Sequence, residues 1–302
     1  MKNRVVLCAA SAATFSLCSY TLFRVAFLGY SVNLSPFEAL AIAVAGLFTG
    51  LTLADLKRSL LVFYSIYLAS YVTALTLLRY PLDTMMGGFS GDLATIVVTR
   101  NIGFFSLIVG GPLSILTLII GVSISSRLKS MYVSLTLSIL LILLSSTMLT
   151  VEYSDWYGEV RSLKGFRVNT VYMRLSLKEE PDGARPVLEL KVSMETVEGK
   201  PACIVTAIYR VFLDGKLVRE KVDAMPGEGL LVGSQPVYRK LDIELPKTVP
   251  LDCLERKRCR IEVQVNFKTR FGVIPVKYSL NYSLSTIFIP LVYFEASPGI
   301  GA

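Results

Sequence analysis

The chain has 302 residues, a formal net charge of +8 at neutral pH and no histidine, which removes both the commonest general base and the commonest zinc ligand. Residues 1–150 hold nine Lys or Arg and four Asp or Glu between long uncharged runs, whereas residues 151–302 hold 22 and 19. The basic excess therefore falls at the ends of apolar runs, where cations set membrane topology, and it does not point to a nucleic-acid partner.

Backbone groups in hydrocarbon must bond internally, so an uncharged run of about 20 residues reads as a spanning helix. Five spans are predicted, near 5–23, 36–54, 59–78, 102–126 and 131–150. The first holds Cys8 and Cys18 as small packing residues. Its basic start and its Ala-Ala-Ser-Ala-Ala stretch also fit a cleaved signal peptide, which would leave four spans. The second opens on Ser35-Pro36-Phe37-Glu38, a capping box with Pro36 at the first helical position. Glu38 reads as a helix-start carboxylate, with ion binding as the alternative. Gly46 and Gly50 form a G-x-x-x-G that lets another helix come close.

Tyr64, Tyr67 and Tyr71 share one face of the third span, as a hydrogen-bonding stripe or, alternatively, a substrate path. Residues 79–100 read as a long outer loop containing Gly87-Gly88. Within it Gly88-Phe-Ser-Gly91-Asp92 resembles the Gly-x-Gly-Asp of intramembrane aspartic proteases. The spacing differs, and the required pair of close carboxylates is missing. Gly110-Gly111-Pro112 interrupts the fourth span as a kink; broken helices at the midplane also build transporter sites. No charged residue falls deep in a span, so an ion-coupled pump lacks its usual carboxylate.

Lys2 and Arg4, Lys57 and Arg58, and Arg127 and Lys129 fall on one side of a five-helix path, the positive-inside pattern. The N-terminus is then cytoplasmic and everything after residue 150 lies outside. Arg24, Arg79 and Arg100 depart from the rule, the last two being interleaved with Asp83 and Asp92. Tyr153, Trp156 and Tyr157 form an aromatic anchor at the exit, and 152–165 is a linker between a helical domain at 1–151 and the C-terminal domain.

From Phe166 the period switches to two. Val171, Met173, Leu175 and Leu177 alternate with polar neighbours, as do Leu188, Leu190, Val192 and Met194. Asp214-Gly215 marks a tight hairpin. Further strands read at 217–222, 237–245, 260–269 and 273–283. About seven short strands over 166–284 give an antiparallel β-sandwich, followed by an apolar segment and tail at 285–302 that is too short to span. The scarcity of Gln and Asn and the crowding of charge in this half fit a thermophile.

Ala207-Ile-Tyr-Arg-Val-Phe-Leu-Asp-Gly-Lys-Leu-Val218, the alternating strand at 237–245 and Phe271-Gly-Val-Ile-Pro-Val-Lys-Tyr278 together resemble the late-embryogenesis-abundant, WHy-type β-sandwich. The family's Asn-Pro-Asn-Pro is replaced here by Glu198-Gly-Lys-Pro201. The resemblance covers 166–284 and none of the membrane half. It implies an immunoglobulin-like, noncatalytic, often membrane-associated domain with no catalytic residue to carry over.

Cys203, Cys253 and Cys259 fall in the half expected outside, where disulfides persist. Cys253 and Cys259 are the expected pair, closing a small loop, with Cys203 left as a free thiol. Arg256, Lys257, Arg258 and Arg260 form a dense basic cluster at that loop, either solvated or a contact for an acidic partner or headgroup. No cofactor, metal site or catalytic group is expected. The reading is a multi-pass membrane protein in the lipid bilayer that presents an extracytoplasmic sandwich to another membrane or envelope protein, with homo-oligomerisation left open. A transporter or channel subunit is the alternative, and a membrane enzyme comes third.

Overall fold

The computed structural model describes residues 2–27, 36–125, 131–178, 184–197, 200–250, 253, 256 and 258–280. Five long apolar helices occupy the N-terminal half, and two antiparallel β-sheets come after them. The chain divides into two compact units: 1–164 with 268–275, and 165–267 with 276–302.

The helical unit contains α1 (Lys2–Val25), α2 (Pro36–Leu53), α3 (Leu56–Met85), α4 (Gly88–Phe105), a π-helical turn at Ser106–Gly110, α5 (Gly111–Ser125) and α6 (Met131–Leu163). Five helices, with α4, the π turn and α5 counted as one from Gly88 to Ser125, are long and apolar enough to cross a bilayer. Three run well beyond the runs read from hydropathy. At 1.5 Å per residue, the 30-residue α3 is about 45 Å long, against a hydrocarbon core of about 30 Å. The intervals Arg4 to Arg24, Arg58 to Arg79 and Met131 to Glu152 each match the apolar slab. Helix continues past Arg79 and past Glu152 because hydropathy reports burial in lipid, whereas helix needs only backbone pairing and a packed face.

Two expectations are corrected here. The predicted loop at 79–100 is nearly all helix: α3 and α4 are joined by Met86 and Gly87, and Gly87 adopts φ 88°. Residues 152–163, read as linker, are the last three turns of α6. Ser35, Arg127 and Lys129 lie outside the described residues, as does the apolar segment after residue 280.

The helix most deeply enclosed by protein is α1. Ala13, Cys18, Leu22, Phe23 and Val25 are fully buried. Its polar groups bond to three neighbours: Thr14 Oγ1 to Thr49 Oγ1 at 3.1 Å in α2, Ser16 Oγ to Ser146 Oγ at 2.9 Å in α6, and the Phe15 carbonyl accepting from Ser70 Oγ at 3.2 Å in α3. A polar group in an apolar interior is stable only when paired, and these bonds tie α1 to α2, α3 and α6.

Among the described residues the β unit has eight strands: β1 (Phe166–Lys178), β2 (Arg185–Thr196), β3 (Ala202–Leu213), β4 (Lys216–Ala224), β5 (Leu230–Val232), β6 (Val237–Glu244), β7 (Cys259–Thr269) and β8 (Gly272–Leu280). One sheet has the order β1-β2-β6; the other has β4-β3-β7-β8, with β5 paired to β3. The alternation that predicted them also makes the core. Leu188, Leu190, Val192 and Met194 of β2 are buried, as are Ala207, Tyr209 and Val211 of β3 and Ile261, Val263, Val265 and Phe267 of β7. The ring of Phe166 meets that of Phe267 at 4.7 Å, edge to face. Asp214 and Gly215 both take positive φ, 49° and 82°, as the two-residue hairpin turn between β3 and β4 requires.

The edge strand β4 places charge on the face it shares with the core, where Asp223 is half-buried and Arg219 and Lys221 are exposed. Arg219, Lys221 and Asp223 pair in register with Val211, Tyr209 and Ala207, whose side chains form core. Inward-facing charge on an edge discourages addition of a further strand. Arg239 of β6 grips Asp223 bidentately, donating from Nε and Nη2 at 2.7 to 3.0 Å, and ties the two sheets together.

Candidate functional site

In the β unit, Cys253 and Cys259 are joined by a disulfide, with their Cα atoms 5.4 Å apart. Both are buried. Backbone bonds close the loop further: the N–H groups of Arg258 and Cys259 both donate to the Cys253 carbonyl, at 2.9 and 3.1 Å. Arg258 then docks this loop on the β3–β4 hairpin. Its Nε donates to Asp214 Oδ1 at 2.9 Å and its Nη2 pairs with Oδ2, while the Asp214 N–H donates to the Arg258 carbonyl at 3.0 Å. Side chain and backbone thus lock the hairpin tip to the disulfide loop.

The basic cluster is accordingly less free than its sequence implies. Arg258 is committed to Asp214. Arg260 pairs with Glu262 at 2.6 Å and lies over the Phe212 ring at 5.2 Å. Arg256 is exposed, and Lys257 lies outside the described residues. Cys203 is a free thiol, half-buried against the Glu228 carbonyl at 3.7 Å.

The Arg258 guanidinium holds the Asp214 carboxyl below its usual range, chiefly by direct hydrogen bonding. A depressed folded-state value contributes stability above the ordinary carboxylate value of about 3.9, and that contribution is lost as pH falls through the folded value. Protection of the Asp214 amide, corrected for intrinsic exchange, should therefore stay constant from pH 8 to 5 and fall only below about pH 4. Loss beginning near pH 6 would mean that another group controls the tip.

In the helical unit, Gly46 and Gly50 lie against α5. A Cβ at Gly46 would meet Thr117 Oγ1 and the Ser114 carbonyl, and one at Gly50 would collide with the Leu118 carbonyl and approach Gly121. Gly121 returns the contact against Leu47 and Leu51. The third glycine could not be recognised in sequence, because nothing there says which helix faces α2. Gly110 and Gly111 do not break the helix. They fall at the π turn, where the Gly111 N–H donates to the Ser106 carbonyl five residues back. Pro112 has no N–H and would press on the carbonyl four residues before it, and the wider turn relieves that clash. Tyr67 Oη bonds Ser106 Oγ at 2.6 Å beside this turn, and Tyr71 Oη bonds Thr99 Oγ1 at 3.0 Å. The tyrosine stripe therefore fastens α3 to α4.

One constellation went unrecognised in sequence, because its members are far apart in the chain. At the end of the bundle where α1 stops, Arg24 donates to Glu38 at 3.0 Å and to Glu152 at 2.8 Å, with Glu38 only 1% exposed. Arg270, in the turn between β7 and β8 that belongs to this unit, pairs with Asp155 at 2.6 Å and approaches Glu152 at 3.8 Å. Trp156 is not an interfacial anchor. It is buried against Phe27 at 5.2 Å and Phe271 at 5.6 Å, and its indole N–H reaches the Leu78 carbonyl at 3.4 Å. The aromatic residues are enclosed there because α6 and α3 both continue past this level. Arg24 and Arg79, which depart from the positive-inside pattern, each meet two carboxylates: Glu38 and Glu152 for Arg24, Asp83 and Asp92 for Arg79.

Among the described residues, no three His, Cys, Asp or Glu side chains converge as a metal site. No family model matches this sequence, and no curated protein matches it. Among solved structures, the alkylpurine DNA glycosylase AlkC of Pseudomonas fluorescens, bound to DNA containing an abasic-site analogue, aligns over 82% of this chain and 78% of its own, at 14% identity. The TM-score of 0.19 is too low for that likeness to carry any argument.

Proposed function

We propose that this chain is a noncatalytic multi-pass membrane protein whose β unit lies outside the cytoplasm and recognises another membrane or envelope protein. The observation that carries the reading is the disulfide-closed loop locked to the Asp214 hairpin. A disulfide persists in an oxidising compartment. Two loops tied together by an ion pair and backbone bonds also present a rigid surface at little cost in ordering on binding. The positive-inside clusters at Arg4 and at Lys57 and Arg58 agree with that side. The WHy-like hairpin fits the same role, as an immunoglobulin-like recognition fold. The inward charges of β4 disfavour strand addition at that edge, which leaves the tip around Asp214 and Arg256 as the contact.

A second reading, a transporter or channel subunit, is favoured by the π turn inside the membrane helix, since such turns recur at functional sites. Photocrosslinking separates the two. A crosslinker placed at Arg256 in living cells should yield one discrete adduct with a membrane or envelope protein, and the same group at Lys57 should not. No adduct at Arg256, together with solute flux by the purified protein in liposomes, would favour the transporter.

A further inference from the structure

Of the three arginines that depart from the positive-inside pattern, two are neutralised: Arg24 by Glu38 and Glu152, and Arg79 by Asp83 and Asp92. Arg100 is not. It is exposed, and among the described residues no carboxylate pairs with it. Asp92, about two turns earlier on α4, is already held by Arg79. The Asn101 side-chain amide donates to the Ala26 carbonyl at 2.9 Å, which sets this turn of α4 level with the end of α1, where Arg24 meets Glu152. That level closes the apolar intervals of α1 and α6, so Arg100 stands where hydrocarbon gives way to headgroups.

The face around Arg100 is otherwise apolar. Ile96, Phe104 and Leu107 lie at helical spacing from it and are 66, 68 and 79% exposed. Gly103 shares that face one turn deeper, and nothing stands within 4 Å of a Cβ placed there. The glycine therefore leaves an open notch against the helix backbone, beside Phe104. On the α3 side, Tyr71 bonds Thr99 and Tyr67 bonds Ser106, one before the notch and one after it. Helical side chains lean toward the N-terminus of their own helix, so Arg100 reaches away from the notch and toward water. A bare charge beside apolar surface is costly, and a guanidinium offers a phosphate two parallel N–H donors.

We propose that Arg100 and the Gly103 notch form a binding site for one phospholipid. Its phosphodiester sits on the Arg100 guanidinium, and an apolar chain lies over Gly103 beside Phe104 and Leu107. The site rests on these helices spanning a bilayer, and on nothing about the β unit.

The test uses the purified full chain in detergent, titrated with dioleoylphosphatidylglycerol and read by native mass spectrometry. One lipid is expected to stay bound at collision energies that strip the others. Arg100→Gln should cut that retained fraction about tenfold. Gly103→Leu, which fills the notch without meeting protein, should cut it several-fold. Dioleoylglycerol, with the same chains and no phosphate, should not be retained, and an excess of inorganic phosphate should not displace the lipid. Unchanged retention in Arg100→Gln would overturn the proposal. Equal retention of dioleoylglycerol would do so too, as would displacement by inorganic phosphate, which marks an anion site without a lipid. Alkaline carbonate extraction of cell membranes tests the spanning helices separately. A chain released by carbonate would overturn both readings, whereas one that stays in the membrane with Arg100→Gln indifferent to lipid loses the site alone.

Discussion

Replacing Gly50 with leucine is expected to prevent the helical unit from assembling, with no folded protein recovered in mild detergent. The side chain would have to enter where the Leu118 carbonyl, the Val122 N–H and Gly121 already stand. These are backbone atoms, which cannot rotate away as a flexible side chain can. Overpacking a close interface costs about 1–3 kcal/mol when side chains can adjust; with backbone on the far side the cost lies at or above the top of that range. Gly121→Leu should behave the same way, because the contact is reciprocal. Gly103→Ala is the control: nothing lies within 4 Å of a Cβ there. Alanine in a helix interior stabilises by roughly 0.5–1 kcal/mol relative to glycine, so Gly103→Ala should raise the melting temperature slightly. Equal tolerance of leucine at Gly50 and alanine at Gly103 would mean that α2 and α5 do not touch as described.

Arg24→Ala is expected to be nearly as damaging, for an electrostatic reason. Glu38 is buried, Glu152 is close to it, and Arg24 lies between them. Removing the guanidinium takes away the cation that Glu38 and Glu152 share, and breaking a buried pair from one side costs about 3–5 kcal/mol. Part of that loss is recoverable by replacing the two carboxylates as well. Arg24→Met with Glu38→Leu and Glu152→Gln should therefore be more stable than Arg24→Ala alone, since apolar replacement of a buried ion cluster is often neutral or better. Thermal melting by intrinsic fluorescence, which the buried Trp156 reports directly, decides the order of the variants. A triple variant no more stable than the single one would show that the loss came from packing rather than from stranded charge.

Range along the chain separates the features legible in the sequence from those hidden in it. Alternation along single strands, uncharged runs and the Asp-Gly turn are local, and they gave the two halves, the five spans and most strands. Hydropathy ended the spans at the edge of the lipid, so the aqueous ends of α3, α4 and α6 read as loop and linker. The short strand β5 has three residues and no usable period. The site residues divide in the same way. Gly46 and Gly50 announce a close helix contact by their spacing, but their partner Gly121 is 71 positions after Gly50. Arg258 reads as one of four free cations until Asp214, 44 residues earlier, is seen to hold it. Arg24 reads as a departure from the positive-inside rule because Glu152 is 128 residues away.

Orientation is the claim on which the proposed function turns, and accessibility labelling in intact cells tests it directly. Cysteines at Lys216, exposed beside the β3–β4 turn, and at Lys57, exposed at the start of α3, are introduced one at a time with Cys8 and Cys203 replaced by serine, leaving the buried Cys18 and the Cys253–Cys259 disulfide in place. A membrane-impermeant maleimide is expected to label the site at 216 at once, and the site at 57 only after the membrane is permeabilised. Labelling at 57 from outside, with 216 protected until permeabilisation, would contradict the account: it would put the β unit and its disulfide loop in the cytoplasm.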